Sequence, residues 1–486
     1  MFRKVFYKAG RFTTQWVRID FDTAPNFGTK ATVTLPRKGH LISKLYLVTT
    51  MPDIYTIQQV ASAAATLAGS TLAGPRFTWT NSLGHALVQE ASVEIGGNRM
   101  EVLDGRLMEV LDEFYTPLER VPLANTLLGR NMSSFPNFGI PVTPAVQVIT
   151  PLPFWFSRGD PGVYLPIDAI AVDLVRLSIT FSPAASLYVS DARLSTTDVA
   201  PAAGAAYFPL EGSIFFRTNP AGVPIYGLTG DPAVATLVTP MTNVQIPNPL
   251  TLGETYLMAE YVYLDAPEAN RFRISDIEVP VVQHYAFDPY DSRNGPKVSI
   301  PLRIPNPTRN LFFYVQRYET TFYNAPFLAT RDLSGADGPV VPWWPNAGEI
   351  ATTSPGLFRP GFVFRDSEPL KSIMLIYEGQ MLRYATTSPS IFRSLLPSTE
   401  MKKAPYVNRY YYSLHFGLNH GQIPLSQPSG EGNLDKITKI SLDLEFKPFR
   451  GCVAMNQVPR YIVYTWAETY NIFRVYGGRG GMLFAF

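Results

Sequence analysis

Proline is the residue that most constrains how this chain can fold. It occurs 43 times among 486 residues, which is about 9% against an average of about 5%. Proline lacks the backbone N–H and fixes its own φ angle, so it interrupts helices and central strands. Aromatic residues are also frequent, at 13% of the chain. This composition predicts many short strands joined by turns.

Alternation of apolar and polar residues places several of these strands. Residues 175–181 and 440–446 carry apolar side chains at every second position, which directs one set to a core and the other to solvent. Less regular alternation marks four further segments, at residues 41–48, 91–95, 373–377 and 461–466. Strands spread through both halves of a chain favour packed sheets over alternating βα units. The predicted fold class is therefore all-β.

Chain length sets the expected number of domains. A chain of 486 residues is too long for one β-sandwich and suits two β-domains of roughly 200–250 residues each. Strand-like residues 261–264 are followed by a polar segment that can form a helical turn, and strand-like residues resume at 277. We therefore predict a first domain at residues 1–265, a linker at 266–276 and a second domain at 277–486. No internal sequence repeat relates the two.

One segment has the periodicity of a helix. In Gly105–Tyr115, apolar residues recur in steps of three and four, which places them on a single stripe. Glu109, Asp112 and Glu113 fall outside this stripe. We expect them on a polar face that is either solvated or in contact with another element, and not as the catalytic carboxylate pair of a glycosidase.

Two glycine-rich segments predict turns. Gly96-Gly97-Asn98 suits the tip of a hairpin. Residues 477–481 read Gly-Gly-Arg-Gly-Gly, but they lack the Lys-Ser/Thr of a phosphate-binding loop and no helix follows them. We expect a flexible turn before the last strand.

Three long stretches predict exposed loops, at residues 61–74, 183–209 and 334–360, because long irregular insertions on a compact scaffold are usually exposed or functional. The third contains the pair Trp343-Trp344. Large apolar side chains in such a loop are favourable contact anchors, which makes Trp343 and Trp344 candidate interface residues. A lectin-like sugar platform is the alternative for this pair.

Charge and cysteine content argue against several classes of protein. With 41 basic and 39 acidic residues the net charge is +2, unlike the basic field of a nucleic-acid-binding protein. The one cysteine, Cys452, can form no internal disulfide, which fits folding in a reducing cytosol. No run of 18 apolar residues is present to span a membrane. The basic residues between positions 3 and 18 are expected on an exposed first strand, with contact to anionic lipids of a membrane as the alternative.

No pattern of residues predicts a catalytic, cofactor or metal site. A metal site needs several ligands that converge at a fixed geometry, and no cysteine or carboxylate pattern frames the five histidines, which are His40, His85, His284, His415 and His420. We expect them to be ordinary histidines of turns and interfaces. The sequence therefore predicts no catalytic site and no cofactor.

Five separated segments form an ordered pattern along the chain. They are RKGHLISKLYLV from Arg37, VEIGGNR from Val93, LPFWFSR from Leu152 followed by LPIDAI from Leu165, YVYLD from Tyr261, and QPSGEGNLDKI from Gln427. In this order, together with the C-terminal YNIFRV and GMLFAF, they resemble the major capsid proteins of nucleocytoplasmic large DNA viruses, the group of iridoviruses and chlorella viruses. The residues that carry the signature of the last segment are Gln427, Pro428, Ser429, Gly430 and Asn433.

The resemblance implies two consecutive eight-stranded antiparallel jelly rolls with long loops and a few short helices. It also implies that three chains form a pseudo-hexagonal capsomer, and that capsomers tile the icosahedral shell of a large double-stranded DNA virus. The implied partners are neighbouring capsomers, minor capsid and penton proteins, and an inner viral membrane. Direct binding of nucleic acid is not expected, and the protein would be made and assembled in the host cytoplasm.

The chain departs from the family pattern at three places. His40 replaces the usual Asp, and Glu431 replaces the usual Cys or Thr after Gln-Pro-Ser-Gly. Residues 2–21 already resemble the first strand, so an absent or very short leader is expected, which leaves the anchoring of the subunit to the inner layer open. Two other functions remain as alternatives: a carbohydrate-binding or carbohydrate-active β-sandwich, and a minor capsid or scaffold paralogue.

Overall fold

The computed structural model describes the chain in a series of segments. These are residues 10–54, 77–130, 146–190, 216–218, 224–226, 250–293, 295–317, 327, 331–332, 365–366, 368–378, 380–381, 388–405, 409–418, 427–447 and 460–484. Outside the described residues lie the predicted loops at 61–74 and 334–360, most of the loop at 183–209, and Trp343, Trp344, His420 and Cys452.

The first half of the chain forms strands β1 to β12. Their bounds are β1 Phe12–Asp20, β2 Lys30–Thr34, β3 Leu41–Thr50, β4 Phe77–Trp79, β5 Val88–Ile95, β6 Asn98–Leu103, β7 Gln147–Pro151, β8 Val175–Phe181, β9 Tyr188–Ser190, β10 Phe216–Thr218, β11 Pro224–Tyr226 and β12 Thr255–Leu264.

The second half forms strands β13 to β24. Their bounds are β13 Ile277–Ala286, β14 Tyr290–Asp291, β15 Lys297–Leu302, β16 Thr308–Arg317, β17 Arg331–Asp332, β18 Arg365–Asp366, β19 Leu370–Tyr377, β20 Gln380–Met381, β21 Tyr411–His415, β22 Ile440–Phe446, β23 Tyr461–Tyr476 and β24 Arg479–Met482.

The two halves share one sheet topology. In the first half the sheets have the orders β1-β12-β3-β7 and β2-β8-β5-β6; in the second half they have the orders β13-β23-β16-β21 and β15-β22-β19-β20. If the eight strands in these two sheets are numbered along the chain within each half, both halves read 1-8-3-6 and 2-7-4-5. All of these pairings are antiparallel. Two facing sheets of this order form a jelly roll, so the predicted double jelly roll is confirmed.

The strands predicted from alternation are confirmed. Residues 175–181 form β8 and residues 440–446 form β22, and in both strands the alternate apolar side chains are buried. The less regular segments lie in β3, β5, β19 and β23. β1 lies at the edge of its sheet, and its Arg18 side chain is 47% exposed, as expected for the described part of the basic first strand.

Both predicted glycine turns are present as tight hairpins, and the flexibility expected of the second stays a prediction. Gly96 and Gly97 join β5 to β6 with φ angles of 59° and 86°, and Gly477 and Gly478 join β23 to β24 with φ angles of 56° and 78°. Two successive positive φ angles are the geometry of the two-residue turn that matches strand twist. Glycine adopts this conformation without the steric cost that a Cβ atom adds.

Five short α-helices accompany the strands in the described residues. They are α1 Leu83–Leu87, α2 Gly105–Tyr115, α3 Val121–Leu128, α4 Ala266–Ile274 and α5 Leu396–Glu400. The helix predicted at Gly105–Tyr115 is confirmed with the same bounds, and the Asp104 side chain caps it by accepting a hydrogen bond from the Leu107 N–H at 2.8 Å. No helix among the described residues is long and apolar enough to cross a membrane.

α4 falls within the predicted linker. It follows β12, the last strand of the first jelly roll, and precedes β13, the first strand of the second. The polar segment at 266–276 therefore forms the helical turn that its sequence suggested. The division of the chain into domains at these residues stays a prediction.

The described residues form two apolar cores, and β16 is buried between them. Leu311, Phe313 and Val315 belong to the core of the second half, whereas Phe312 and Tyr314 belong to the core that fills the first half. Because successive side chains of a strand point to opposite faces, one face of β16 packs inside its own jelly roll and the other packs against the neighbouring one. The two jelly rolls are thus joined by a continuous apolar contact.

Candidate functional site

α2 lies at the contact between the two jelly rolls. Its Phe114 ring is 5.2 Å from the ring of Phe312 on β16, and the neighbouring Tyr115 ring is 6.3 Å from the same ring. At the other end of the helix, the Trp466 indole N–H donates a hydrogen bond of 3.2 Å to the capping Asp104 carboxylate. A helix of the first half is therefore enclosed by strands of the second half along its length.

Of the two alternatives for the polar face of α2, exposure to solvent is wrong, because this face is a contact face. Glu109 is 0% exposed and Glu113 is 1% exposed, while the Asp112 side chain is 11% exposed. Helical periodicity identifies the most apolar stripe, but it does not reveal whether a second element covers the opposite side. Here that side is covered, because charged residues of the second half meet the carboxylates.

The first charged group, called the Glu109 cluster, is built around one fully buried carboxylate. Glu109 pairs with Arg130 at 2.5 Å and with Arg409, accepts a hydrogen bond of 3.0 Å from the Ser82 hydroxyl, and lies 2.6 Å from Nδ1 of His85. The cluster is completed by pairs of Asp112 with Arg130 at 2.6 Å, Glu113 with Arg409 at 3.5 Å, and Glu113 with Lys403 at 3.6 Å.

The Glu109 cluster joins the two halves through balanced charge. Its three carboxylates come from α2, whereas Arg409 and Lys403 come from the second half and Arg130 from the end of α3. Burial by itself raises the pKa of the Glu109 carboxyl, but the charges of Arg130 and Arg409 outweigh this and hold the pKa well below its ordinary value. A buried ion pair of this kind needs every partner, because a lone buried charge is costly.

The second charged group, called the Glu468 cluster, lies beside β23. The Glu468 carboxylate, fully buried on β23, accepts a hydrogen bond of 2.8 Å from the Tyr115 hydroxyl of α2 and one from the Asn310 amide. Around it lie Nη1 of Arg158 at 3.6 Å, Nε2 of His284 at 3.6 Å and Nε of Arg309 at 4.0 Å. Arg158 and Tyr115 come from the first half, so this cluster also joins the halves.

A second buried carboxylate, Glu101 on β6, completes the Glu468 cluster. It accepts a hydrogen bond of 2.8 Å from the Trp155 backbone N–H and one of 3.2 Å from Nη2 of Arg158. Burial raises the pKa of Glu468, but the facing His284 and the charges of Arg309 and Arg158 together hold it below its ordinary value. The pKa of Tyr115 lies well above its ordinary value because of burial and of the adjacent Glu468 charge.

Three of the histidines expected to be ordinary turn or interface residues are instead buried inside the chain. His85 belongs to the Glu109 cluster and His284 to the Glu468 cluster. His415 on β21 lies 2.9 Å from the Asn310 amide oxygen, which links it to Glu468. His40, in a turn, accepts a hydrogen bond of 2.8 Å from the Leu264 N–H. No pattern around these histidines in the sequence signals their partners, which lie far away along the chain.

The LPFWFSR segment also lies at the contact between the halves. The side chains of Leu152, Phe154, Trp155 and Phe156 are buried, and the Trp155 ring is 5.5 Å from the ring of Phe473 on β23. The segment ends near Arg158 of the Glu468 cluster. Its apolar residues therefore pack against both jelly rolls, and its cation binds carboxylates from both.

The Gln-Pro-Ser-Gly segment forms a turn that is hydrogen-bonded to β23. The Ser429 N–H donates a hydrogen bond of 3.1 Å to the Tyr470 hydroxyl, which donates one of 3.4 Å to the Gly430 carbonyl. Gly430 has a φ angle of +111°, which favours glycine. Gln427 and Pro428 are exposed, and the exposed Asn433 precedes a single helical turn at Leu434–Lys436. The five signature residues thus shape an exposed connection and do not enter either charged cluster.

A cleft of about 530 Å³ borders the Glu468 cluster, with Glu101, Gln283, His284 and Phe484 among its lining residues. In the part of the chain that the structure describes, no group of three or more histidine, cysteine, aspartate and glutamate residues is arranged to hold a metal ion. The arrangement of the clusters instead suits a mechanical role, because each binds residues from both jelly rolls.

Two protein-family models match the chain in succession. Residues 1–211 match the model described as the major capsid protein N-terminus, and residues 272–481 match the model described as the large eukaryotic DNA virus major capsid protein. Only residues 212–271 and 482–486 fall outside the two matches.

Full-length relatives carry the same description. The chain is 21% identical to the major capsid protein of Pyramimonas orientalis virus over 492 residues, with 100% of this chain and 93% of that protein covered. It is 23% identical to the major capsid protein of Invertebrate iridescent virus 3 over 494 residues, covering 98% and 90%. The similarity to probable capsid protein 4 of Acanthamoeba polyphaga mimivirus, at 25% identity, spans 38% of this chain and 34% of that protein.

Solved structures show the same fold. The chain superposes on the quasi-atomic model of the PBCV-1 virus capsid with a TM-score of 0.66 at 18% identity, covering 100% of both chains. It superposes on the Faustovirus major capsid protein with a TM-score of 0.60 at 11% identity, covering 98% of this chain and 92% of that one.

Proposed function

The chain belongs to the major capsid protein family of large eukaryotic DNA viruses, and from this premise we propose that three copies form a pseudo-hexagonal capsomer of an icosahedral shell. The family is structural and not enzymatic, and its members form the capsid shell of the virion. The proposal therefore concerns how this chain assembles, and its argument rests on the contact between the two jelly rolls.

The identical strand order of the two jelly rolls supports this assembly. Three chains around a threefold axis present six jelly rolls, and six units of one topology can approximate a hexagonal outline. Such an outline requires a constant angle between the two jelly rolls of each chain. The single observation that carries the proposal is that α2 is enclosed between the halves and bound by two buried charged clusters, which would hold that angle.

The finer partners follow from the same assembly. We expect capsomers to contact one another through their flanks, to contact minor capsid and penton proteins, and to lie over an inner viral membrane after assembly in the host cytoplasm. Many weak, symmetric contacts are sufficient for such a shell, because multivalency adds their effects.

Trp343 and Trp344 remain proposed anchors between subunits. Buried aromatic side chains contribute most of the binding energy at many interfaces. Replacing both residues by Ala should lower the temperature at which the trimer dissociates, measured by mass determination on heating. Unchanged assembly and unchanged melting would remove this role.

Mass determination and electron microscopy of the expressed chain test the proposed function. We expect a particle of three times the mass of one chain, and images that show a hexagonal outline with threefold symmetry. A stable monomer at the concentration and ionic strength used for assembly would contradict the capsomer.

A further inference from the structure

His284 contacts an arginine and two carboxylates in the Glu468 cluster. Its side chain is fully buried on β13, where Nδ1 lies 2.8 Å from Nη2 of Arg158 and 3.5 Å from Oε1 of Glu101. Its other ring nitrogen faces Glu468 on β23 at 3.6 Å. Glu468 in turn pairs with Arg309 of β16 and accepts a hydrogen bond from the Tyr115 hydroxyl of α2. The ring therefore lies between a cation of the first jelly roll and carboxylates of both.

The contact with Arg158 fixes the protonation state of the ring. A guanidinium group only donates hydrogen bonds, so Nδ1 of His284 must accept this one and carries no proton. A neutral imidazole then has its proton on Nε2, which faces Glu468. The observed hydrogen bond between the two jelly rolls exists only while His284 is uncharged.

The charges of the cluster balance only in that state. Glu101 and Glu468 supply two negative charges, and Arg158 and Arg309 supply two positive ones. A proton on His284 would add a net positive charge among side chains that are almost completely buried. It would also convert Nδ1 from an acceptor into a donor, so the ring would compete with Arg158 for the same two carboxylates.

Arg158 and His284 are both incompletely bonded, since Nε2 of the ring also has no hydrogen-bond partner among the described residues. Within the described residues, Nη1 of Arg158 has no hydrogen-bond partner, and the nearest carboxylate oxygen, on Glu468, lies 3.6 Å away. The cleft of about 530 Å³ that His284 and Glu101 help to line brings solvent to the edge of the cluster. Protons thus have a short route to the ring.

From this geometry we propose that His284 and Arg158 form an acid-sensitive latch between the two jelly rolls. While Nδ1 carries no proton, the ring accepts a hydrogen bond from Arg158, which joins the two halves. When acid places a proton on Nδ1, this hydrogen bond is lost and the contact around α2 and β23 loosens. The latch lies within one chain and does not depend on the trimer.

His85 provides an internal contrast. Its Nδ1 lies 2.6 Å from the Glu109 carboxylate, which can only accept, so this nitrogen already carries a proton. A second proton would enter at Nε2 and would leave the bond to Glu109 intact. Of the two histidines in the charged clusters, His284 is therefore the one whose protonation breaks a contact between the halves.

Hydrogen exchange read by mass spectrometry tests the latch on the intact protein at pH 7.5 and 5.5, with rates corrected for the intrinsic effect of pH. Loss of one hydrogen bond to a charged group should lower the protection of α2 and β23 roughly tenfold. The variant His284→Asn should abolish this loss, because an amide oxygen near the position of Nδ1 can accept from Arg158 at both pH values.

Matched controls separate the latch from other effects. His40→Asn removes a histidine away from the contact between the halves and should retain the acid response of α2 and β23. The mass of the particle, measured at both pH values, reports dissociation of the trimer independently. Equal protection of the unmodified chain at both pH values would overturn the latch, as would an acid response that persists in His284→Asn. If that variant does not fold, the protection of the unmodified chain at the two pH values remains the deciding measurement.

Discussion

The two jelly rolls share one strand order but use the connection between their fifth and sixth strands differently. In the first half this connection holds α2, which brings three carboxylates to the contact between the halves. In the second half the equivalent connection holds a short helical segment at residues 391–400, and the residues after it bring Lys403 and Arg409. In the contact, the first connection supplies three carboxylates and Arg130 and the second supplies two cations, so their net charges are opposite.

This difference explains how two units of equal topology join in one orientation. If both connections carried an excess of carboxylates, they would repel one another. The excess of acids in the first half instead pairs with the bases of the second half, and this pairing requires that the two halves differ. Buried ion pairs add little net stability compared with apolar packing, but an unpaired buried charge is strongly unfavourable. The clusters therefore act mainly against wrong arrangements, and the aromatic contacts of Phe114 and Phe312 supply apolar packing.

The largest expected effect comes from removing the charge at the centre of the contact. Glu109→Gln should lower the free energy of unfolding by about 3–5 kcal/mol, because Arg130 and Arg409 would remain buried without their shared partner. Chemical denaturation should then show the two halves unfolding in separate steps. Glu119→Gln is the matched control, since Glu119 is exposed just beyond α2 and should change stability by less than about 0.5 kcal/mol. If Glu109→Gln unfolds in a single transition with unchanged stability, the charged contact does not join the two halves as described.

Substitutions at two neighbouring phenylalanines of β16 can distinguish the contact between the halves from the core of the second half. Phe312 packs against Phe114 of the first half, whereas Phe313 stacks on Tyr412 within the second half at 5.0 Å. Replacing either by Ala should cost about 3 kcal/mol or more. Hydrogen exchange should place the loss at α2 for Phe312→Ala and within β21 for Phe313→Ala. The same exchange pattern in both variants would contradict the two-sided role of β16.

Acid should weaken the contact between the halves before it weakens the core of the second half. The folded-state pKa values of Glu109 and Glu468 are depressed, so their stabilisation is complete above the unfolded value of about 4.3 and is lost as pH falls below it. Glu368 behaves in the opposite way, because burial raises its pKa and protonation relieves that cost. Unfolding measured from pH 6 to pH 3 should show falling stability, and Glu468→Gln should reduce the slope. A slope unchanged by this substitution would exclude Glu468 as a source.

The smallest expected effect distinguishes the two glycine hairpins. Gly97→Ala should cost about 1 kcal/mol, because an L-residue is strained at positive φ although no atom lies within 4 Å of the added Cβ. Gly478→Ala should cost more, since the added Cβ would lie 3.1 Å from Val172 of the first half. Thermal unfolding of the two variants, measured side by side, provides the comparison. Equal losses of stability in the two variants would mean that the Val172 side chain moves away from the added Cβ at no measurable cost.

Much of the fold follows from local patterns in the sequence. The alternation at 175–181 and 440–446, the glycine pairs and the bounds of α2 all predict what the structure contains. The run Leu311–Val315 had no place among the predicted strands. Its five consecutive apolar or aromatic residues are the signal of a strand buried on both faces, and that signal could have located the contact between the halves.

The candidate site could not be predicted from local sequence patterns. Nothing near Glu109 in the sequence points to Arg409, which lies 300 positions away, or to the burial that this pair produces. The partners of His284 are equally remote, since Arg158 precedes it by 126 positions and Glu468 lies on another strand.

The sequence by itself determined the all-β class, the turns and the resemblance to a capsid family, because strand periodicity and turn chemistry are local properties of the chain. The tertiary structure alone decided that the polar side of α2 is buried and that the two jelly rolls meet through opposite charges. The physical reason is that the cost of burying a charge depends on partners contributed by distant segments. Only the folded chain brings those partners within hydrogen-bonding distance.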